Sequence, residues 1–265
     1  MTTNLPNKID YLHDGLSFVA LVDRMLVDGP LKTVNAARIS YNKKKDSFDE
    51  KDSKLSNFLW THEHTSPFRH SYFTFHLKLP LFVARQLMKY QVGSGFRTYE
   101  VEGKEVSLEI FDHFYDTDKG CSWNEISGRY TQTSEDFYIP FELRSNPPHG
   151  NKQSSEEYNN PLREDDLEFI SQDKALSLMF KSCDDAILLY HQLIKNGVAK
   201  EIARMVLPQN IYTECYWTCS LQAIIWFLHQ RLKPDAQYEI RQLAEGIHEL
   251  IKTDLDKLGL TKEQL

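Results

Sequence analysis

Residues 72–79 alternate without a break: Phe73, Phe75, Leu77 and Leu79 fall on one side, and Tyr72, Thr74, His76 and Lys78 on the other. A period of two sustained this long belongs to a strand with one dry face and one wet face. Pro80 follows at once. Proline cannot extend a ladder, yet it suits the entry to a helix. The next apolar residues, Phe82, Val83, Leu87 and Met88, keep helical spacing, and the same helix carries Arg85, Gln86 and Lys89. The chain must therefore contain a strand-to-helix corner and a second layer to cover the dry face.

The C-terminal half supplies that layer. Over 173–196, Leu176, Met179, Phe180, Cys183, Ile187, Tyr190, Leu193 and Ile194 recur at steps of three and four, and Gly197 is a good stop. A short helix is expected over 200–206, ended by Pro208, then a buried strand over 212–218 and helices over 221–231 and 235–258. Before the corner, 17–22 reads as a strand and 30–39 as a helix. Residues 52–62 read as a helix with Leu55, Phe58 and Leu59 on one face. Weak alternation around Glu102-Gly103-Lys104 reads as a hairpin within an insertion at 94–121, and 145–172 as a mobile polar loop. With no internal repeat, residues 1–265 read as one α+β domain, an antiparallel sheet with a helical C-terminal half.

Apolar content of 41% over 265 residues supports a substantial core. A net charge of −7 excludes a general nucleic-acid binder, though not a local basic pocket for one nucleotide. No apolar run approaches a membrane span, and the first residues lack a secretory pattern, so a cytoplasmic setting is expected. Cys121, Cys183, Cys215 and Cys219 form no Cys-x-x-Cys pair and are expected to be reduced, Cys215 and Cys219 as core packing. His62, His64 and His70 make no convincing metal set, so no metal is expected. There is no Gly-x-Gly-x-x-Gly and no Walker-type loop.

The densest chemistry lies in Ser122-Trp123-Asn124-Glu125-Ile126-Ser127-Gly128-Arg129-Tyr130. One reading is a polar turn between two elements. The other is an anion site, in which Arg129 offers a fork of donors, Ser127 and N–H groups near Gly128 hold further oxygens, and Glu125 and Asn124 read the edges of a base or sugar. The fixed order of residue types favours a site.

That order, Ser-x-Asn-Glu-x-Ser-x-Arg-Tyr, resembles the second half of the signature of flavin-dependent thymidylate synthases. The first half, Arg-His-Arg in the family, corresponds here to Lys89-Tyr90-Gln91, separated from the second by the insertion. Further similarity runs through Pro67-Phe68-Arg69-His70, Phe82-Val83-Ala84-Arg85-Gln86, Asp136-Phe137-Tyr138-Ile139-Pro140, Ala203-Arg204-Met205-Val206-Leu207-Pro208 and Asp235-Ala236-Gln237-Tyr238-Glu239-Ile240. The resemblance implies the same α+β fold and a homotetramer with active sites built across subunits. It implies that dUMP is held by Gln86, Lys89, Glu125, Ser127, Gly128, Arg129 and Arg204. Arg231, beside the pyrimidine, is the implied catalytic residue, favouring ionisation of N3. It implies flavin contacts from His70, Lys89, Tyr90, Gln91, Glu125, Ser220 and Gln222, with FAD, NADPH and 5,10-methylenetetrahydrofolate taking part.

The chain departs from the family where it meets flavin. Lys89-Tyr90-Gln91 carries one permanent charge instead of two. Ser220-Leu221-Gln222 replaces an Asn-x-Arg element, Trp226 an asparagine and Asp235 a histidine, and Arg69 stands where an acidic residue is common. Arg97, Tyr99 and Trp123 lie near the altered motif and are candidates to compensate. Another type of thymidylate synthase uses a cysteine in a Pro-Cys-His setting, and no cysteine here follows a proline. The expected function is reductive methylation of dUMP to dTMP, with folate and dUMP as small-molecule partners and no nucleic acid or membrane. The alternatives are C5 hydroxymethylation, methylation of another pyrimidine nucleotide, or a nucleotide-binding homologue without catalysis.

Overall fold

The alternating segment is the centre of a five-stranded antiparallel sheet. In the computed structural model, which describes residues 7–25, 29–90, 96–101, 104–109, 121–131, 134–146, 155–158, 160 and 163–262, β3 spans Tyr72–Pro80. Strand β1 (Lys8–Ile9) pairs with β2 (Phe18–Arg24), β2 with β3, β3 with β9 (Tyr212–Ser220), and β9 with β6 (Ser122–Glu125). A bulge in β2 between Leu21 and Asp23 leaves Val22 exposed. Strands β4 (Phe96–Val101) and β5 (Lys104–Glu109) form a separate antiparallel ribbon.

The two faces of the β3–β9 pair differ as the alternation requires. Phe73, Phe75, Leu77 and Leu79 are buried, and the Phe75 ring lies 5.9 Å from that of Trp217. On the other face Thr74 and Thr218 share a hydroxyl hydrogen bond of 2.9 Å, His76 stacks on Tyr216 at 4.8 Å, and Lys78 pairs with Asp136 at 2.7 Å. Helices α6 (Leu221–Arg231) and α7 (Tyr238–Lys257) cover the dry face through Ile224, Phe227, Leu228, Leu243, Ile247 and Ile251. Gly246 lets α7 approach β2: a Cβ there would lie 2.9 Å from Val19 Cγ1.

Two helices depart from their expected faces. In α2 (Glu50–Thr61), which follows α1 (Gly29–Arg38), the buried line is Asp52, Ser56 and Leu59, whereas Phe58 is exposed and stacks on the His62 ring at 4.0 Å. A carboxylate takes the place of an apolar anchor because Arg38 and Lys45 both pair with Asp52, which also accepts the Asp49 N–H at 2.8 Å in a reciprocal cap. In α4 (Gln172–Lys195), after α3 (Leu81–Leu87), only Cys183, Ile187 and Tyr190 of the expected stripe are buried. Leu178, Met179, Phe180, Leu188 and Leu189 are 40–56% exposed. The helix touches α5 (Lys200–Ala203) and the 3-10 turn Arg204–Val206 along one line, so much of its apolar surface has no cover within the described residues. The polar stretch after residue 144 carries a short ribbon, β7 (Arg144–Ser145) with β8 (Glu156–Glu157), and Gln172 closes it by accepting the Leu143 N–H at 3.0 Å.

Burial acts to raise the Asp52 carboxyl, but hydrogen bonds from Lys45, Asp49 and Arg38 outweigh it and hold the group below its ordinary 3.8. Its stabilising contribution is therefore present above that value and lost as pH falls through the depressed folded value. Asp52→Asn takes the carboxylate from Arg38 and leaves Lys45 with Asp49 alone, and is expected to cost about 3 kcal/mol in urea unfolding at pH 7. The gap between variant and wild type should narrow below pH 3.8.

Candidate active site

Helix α3 and the turn after it bring Gln86, Lys89 and Tyr90 to the C-terminal end of α6. Tyr90 is buried, with its ring 5.1 Å from Phe227 in an edge contact. The Arg231 guanidinium lies over the same ring, 5.5 Å from its centroid. Burial pushes the Tyr90 phenol up, and the charge and hydrogen bond of Arg231 pull it back. Arg231 Nε is buried and makes no hydrogen bond among the described residues. Lys89 is exposed, and Gln91 lies outside the described residues. Gln86 Nε2 donates to Gln237 Oε1 at 2.7 Å.

A second group surrounds the start of α6. His70, exposed, ends the 3-10 turn Ser66–His70; the carbonyl of the next residue, Ser71, accepts the Leu221 N–H at 2.8 Å. The hydroxyl of Ser220, expected to contact flavin, accepts the Ala223 N–H at 3.3 Å and so caps α6. Gln222 is buried in the first turn of that helix. Trp226 stacks on His229 at 5.7 Å. Cys121 joins the two groups: its thiol lies 3.9 Å from the Tyr90 carbonyl and takes a hydrogen bond from the Ser220 backbone. A cavity of about 280 Å³ opens beside Ser71, lined also by Arg24, Gly29, Tyr72, Asp254 and Lys257.

The third group follows β6. Glu125 accepts from Thr213 Oγ1 at 2.8 Å and from Trp123 Nε1 at 3.1 Å, which fixes the carboxylate against β9. The chain then turns: the Ser127 carbonyl accepts the N–H groups of Tyr130 at 3.0 Å and Thr131 at 3.1 Å, around a buried Gly128. Ser127 Oγ accepts the Arg129 N–H at 3.4 Å. Arg129 is exposed, its guanidinium 5.1 Å from the Tyr130 ring. Lys200 donates to the Tyr130 carbonyl at 3.0 Å and ties this turn to α5 and the 3-10 turn bearing the exposed Arg204.

Arg129, Arg204 and Arg231 are expected to serve one nucleotide in a site built across subunits. Arg231 lies on Tyr90 and Arg129 on Tyr130, and neither the cavity beside Ser71 nor a second of about 340 Å³, walled by Phe137, Phe141 and Phe180, contains any of the three. Side chains missed in the sequence are the ones that hold others in place: Thr213, Lys200 and Gln237. Gln237 falls inside a segment already singled out, but its link to Gln86 is visible only in three dimensions.

Residues 20–255 match the family described as thymidylate synthase complementing protein. A flavin-dependent thymidylate synthase of Thermus thermophilus is 38% identical over 235 residues, covering 89% of this chain and 71% of the relative. That of Thermosipho melanesiensis is 34% identical over 235 residues, with 89% and 85% covered. Among solved structures, the UMP/dUMP methylase PolB of Streptomyces cacaoi bound with 5-Br dUMP has the same fold, with a TM-score of 0.65 at 24% identity over 92% of this chain and 96% of that one. By sequence and fold, this chain belongs to the thymidylate synthase complementing protein family, that of the flavin-dependent thymidylate synthases.

Proposed function

We propose that this chain carries out the reductive methylation of dUMP to dTMP. Family membership makes it a flavin-dependent methyltransferase. The observation that carries the reading is Arg231: a permanent cation on the face of Tyr90, with a buried Nε that has no acceptor among the described residues. Such a donor suits an anion that arrives with the substrate. Set against the pyrimidine, Arg231 stabilises the N3-ionised ring, which raises electron density at C5 and makes it the carbon nucleophile. Three of the four thiols are held in the protonated, weakly nucleophilic form. Burial pushes Cys121 up to about 11 and Cys215 and Cys219 further.

Arg129 and Arg204, exposed and linked through Lys200, are the proposed phosphate anchors. Ser127, Gly128, Glu125, Gln86 and Lys89 complete the nucleotide site. Flavin fits His70, Lys89, Tyr90 and Glu125, where side chains are exposed or already oriented; it fits Ser220 less well, since that hydroxyl is engaged. When bound, FAD reduced by NADPH supplies the hydride, and 5,10-methylenetetrahydrofolate the carbon. The side chains hold ring and phosphate so that C5 meets that carbon. The exposed apolar residues of α4 support self-association, and we place the complete site between copies of a homotetramer.

The purified protein should be yellow, or become so with FAD, and should oxidise NADPH only when dUMP and the folate are present. A colourless protein that binds dUMP but never takes up FAD would favour a non-catalytic homologue. Mass analysis of products from dUMP and UMP tests both the nucleotide and the methyl group.

Arg231→Ala should lower kcat by about a hundredfold with a smaller change in KM. A pure loss of affinity would make it one more anchor. Arg204→Ala should raise KM for dUMP by at least about tenfold with thermal unfolding unchanged, as loss of a charge-assisted phosphate contact requires. Unaltered affinity would remove it from the phosphate.

A further inference from the structure

The structure assigns Glu239 a role as a positioning residue that sets which end of the Gln86 amide faces the substrate; this rests on the reading that Gln86 contacts the nucleotide. Glu239 is buried in the first turn of α7. Its Oε1 takes the Arg144 guanidinium as an ion pair and the Tyr138 hydroxyl at 3.1 Å. Its Oε2 accepts from Gln237 Nε2 at 2.9 Å. Gln237 Oε1 in turn accepts from Gln86 Nε2 at 2.7 Å.

An ionised carboxylate only accepts. It therefore forces the Gln237 nitrogen inward and the Gln237 oxygen toward Gln86. That oxygen draws the Gln86 nitrogen to itself and turns Gln86 Oε1 to the far side of the amide. The outcome is an acceptor, oriented by a charge two residues removed through two neutral amides.

An acceptor reads a hydrogen. The phosphate oxygens and both uracil carbonyls of dUMP carry none. N3 is the position assigned to Arg231 and ionises there. The remaining hydrogen is that of the sugar hydroxyl, so Gln86 reads the 3′-hydroxyl.

The relay can be inverted with little change of shape. In Glu239→Gln the new amide must keep its oxygen on Arg144, a donor only, and point its nitrogen at Gln237. Each amide down the line then flips, and Gln86 offers nitrogen where it offered oxygen. Gln237→Leu breaks the relay without touching the buried ion pair, and guards against a folding defect in Glu239→Gln.

The experiment measures KM, kcat and affinity for dUMP and for its 3′-fluoro analogue, which can accept but has no hydrogen to donate, in wild type, Gln86→Ala, Gln237→Leu, Glu239→Gln and the double variant Gln86→Ala/Glu239→Gln. Wild type should bind the 3′-fluoro analogue roughly tenfold more weakly than dUMP, the effect of one hydrogen bond. The 3′-hydroxyl itself can accept from a reversed amide, so Glu239→Gln and Gln237→Leu should change KM for dUMP and kcat little and remove most of the discrimination. In the Gln86→Ala background Glu239→Gln should add nothing to KM. Retained discrimination in both relay variants, with Gln86→Ala still costly, would overturn the role of Glu239 while leaving Gln86 on the nucleotide. Gln86→Ala with unchanged KM and discrimination would overturn the proposal by removing Gln86 from the nucleotide. A wild-type protein without affinity for dUMP would overturn the functional reading itself.

Discussion

Everything in this chain hangs on the register of β3 against β9. Phe73 lies opposite Cys219, Phe75 opposite Trp217 and Leu77 opposite Cys215, all on the dry face; Thr74, His76 and Lys78 meet Thr218, Tyr216 and Glu214 on the other. A slip by one residue would drive His76 and Lys78 into the core, so the register is strongly specified. It also places the two helices that bear candidate residues. Helix α3 leaves from the Pro80–Tyr212 end of the pair and α6 from the Tyr72–Ser220 end. Over nine residues the ladder is about 30 Å long. The segment from Leu81 to Tyr90 and helix α6 each cover roughly 15 Å at helical rise. Running toward each other on one face, they meet, and the Tyr90–Phe227 and Tyr90–Arg231 contacts are that meeting.

Much of the frame was legible because it is written in local periodicity. The strand-to-helix corner at Pro80 and helix α6 at 221–231 fall where the pattern places them. Phe58 misled because an apolar residue at the right spacing looks like an anchor; the buried position belongs to Asp52, whose burial depends on Arg38 and Lys45 from outside its helix. In α4 the stripe was correctly apolar, but periodicity says only that a face wants cover. It does not say that the cover comes from the same chain. The site divides in the same way. Glu125 to Arg129 is proposed as part of the site from the order of residue types, whereas the capping role of Ser220 and the contact from Gln237 to Gln86 depend on backbone geometry and long-range packing.

Asp52, which is buried, and Arg231, which is half-buried, are accommodated differently. Asp52 has Lys45, Arg38 and a backbone N–H around its two oxygens, so its desolvation is offset inside the fold. Arg231 has the face and hydroxyl of Tyr90, and its Nε meets no acceptor among the described residues. A cation over a phenol ring recovers only about 0.5–2 kcal/mol, less than the desolvation of a buried ion. A fold optimised only for stability would place a carboxylate there. On the proposed function, part of the interaction of that charge serves an anion that comes and goes, as a group acting on a transient pyrimidine charge requires.

The Glu239 relay solves the opposite problem. A carboxylate placed directly on the nucleotide would accept a hydroxyl hydrogen well, but it would also repel the phosphate and oppose ionisation of the ring beside Arg231. Two amides between carboxylate and substrate transmit the direction of the hydrogen bonds without presenting the charge. The charge itself is neutralised at the far end by Arg144, which also stacks over Tyr238 at 4.8 Å and donates to Ser155 at 3.1 Å. Arg144 belongs to β7, at the head of the polar stretch that reads as a mere surface loop. The β7–β8 ribbon is thereby tied to the buried anchor that orients Gln86, so this ribbon and the recognition of a sugar hydroxyl are parts of one hydrogen-bonded unit.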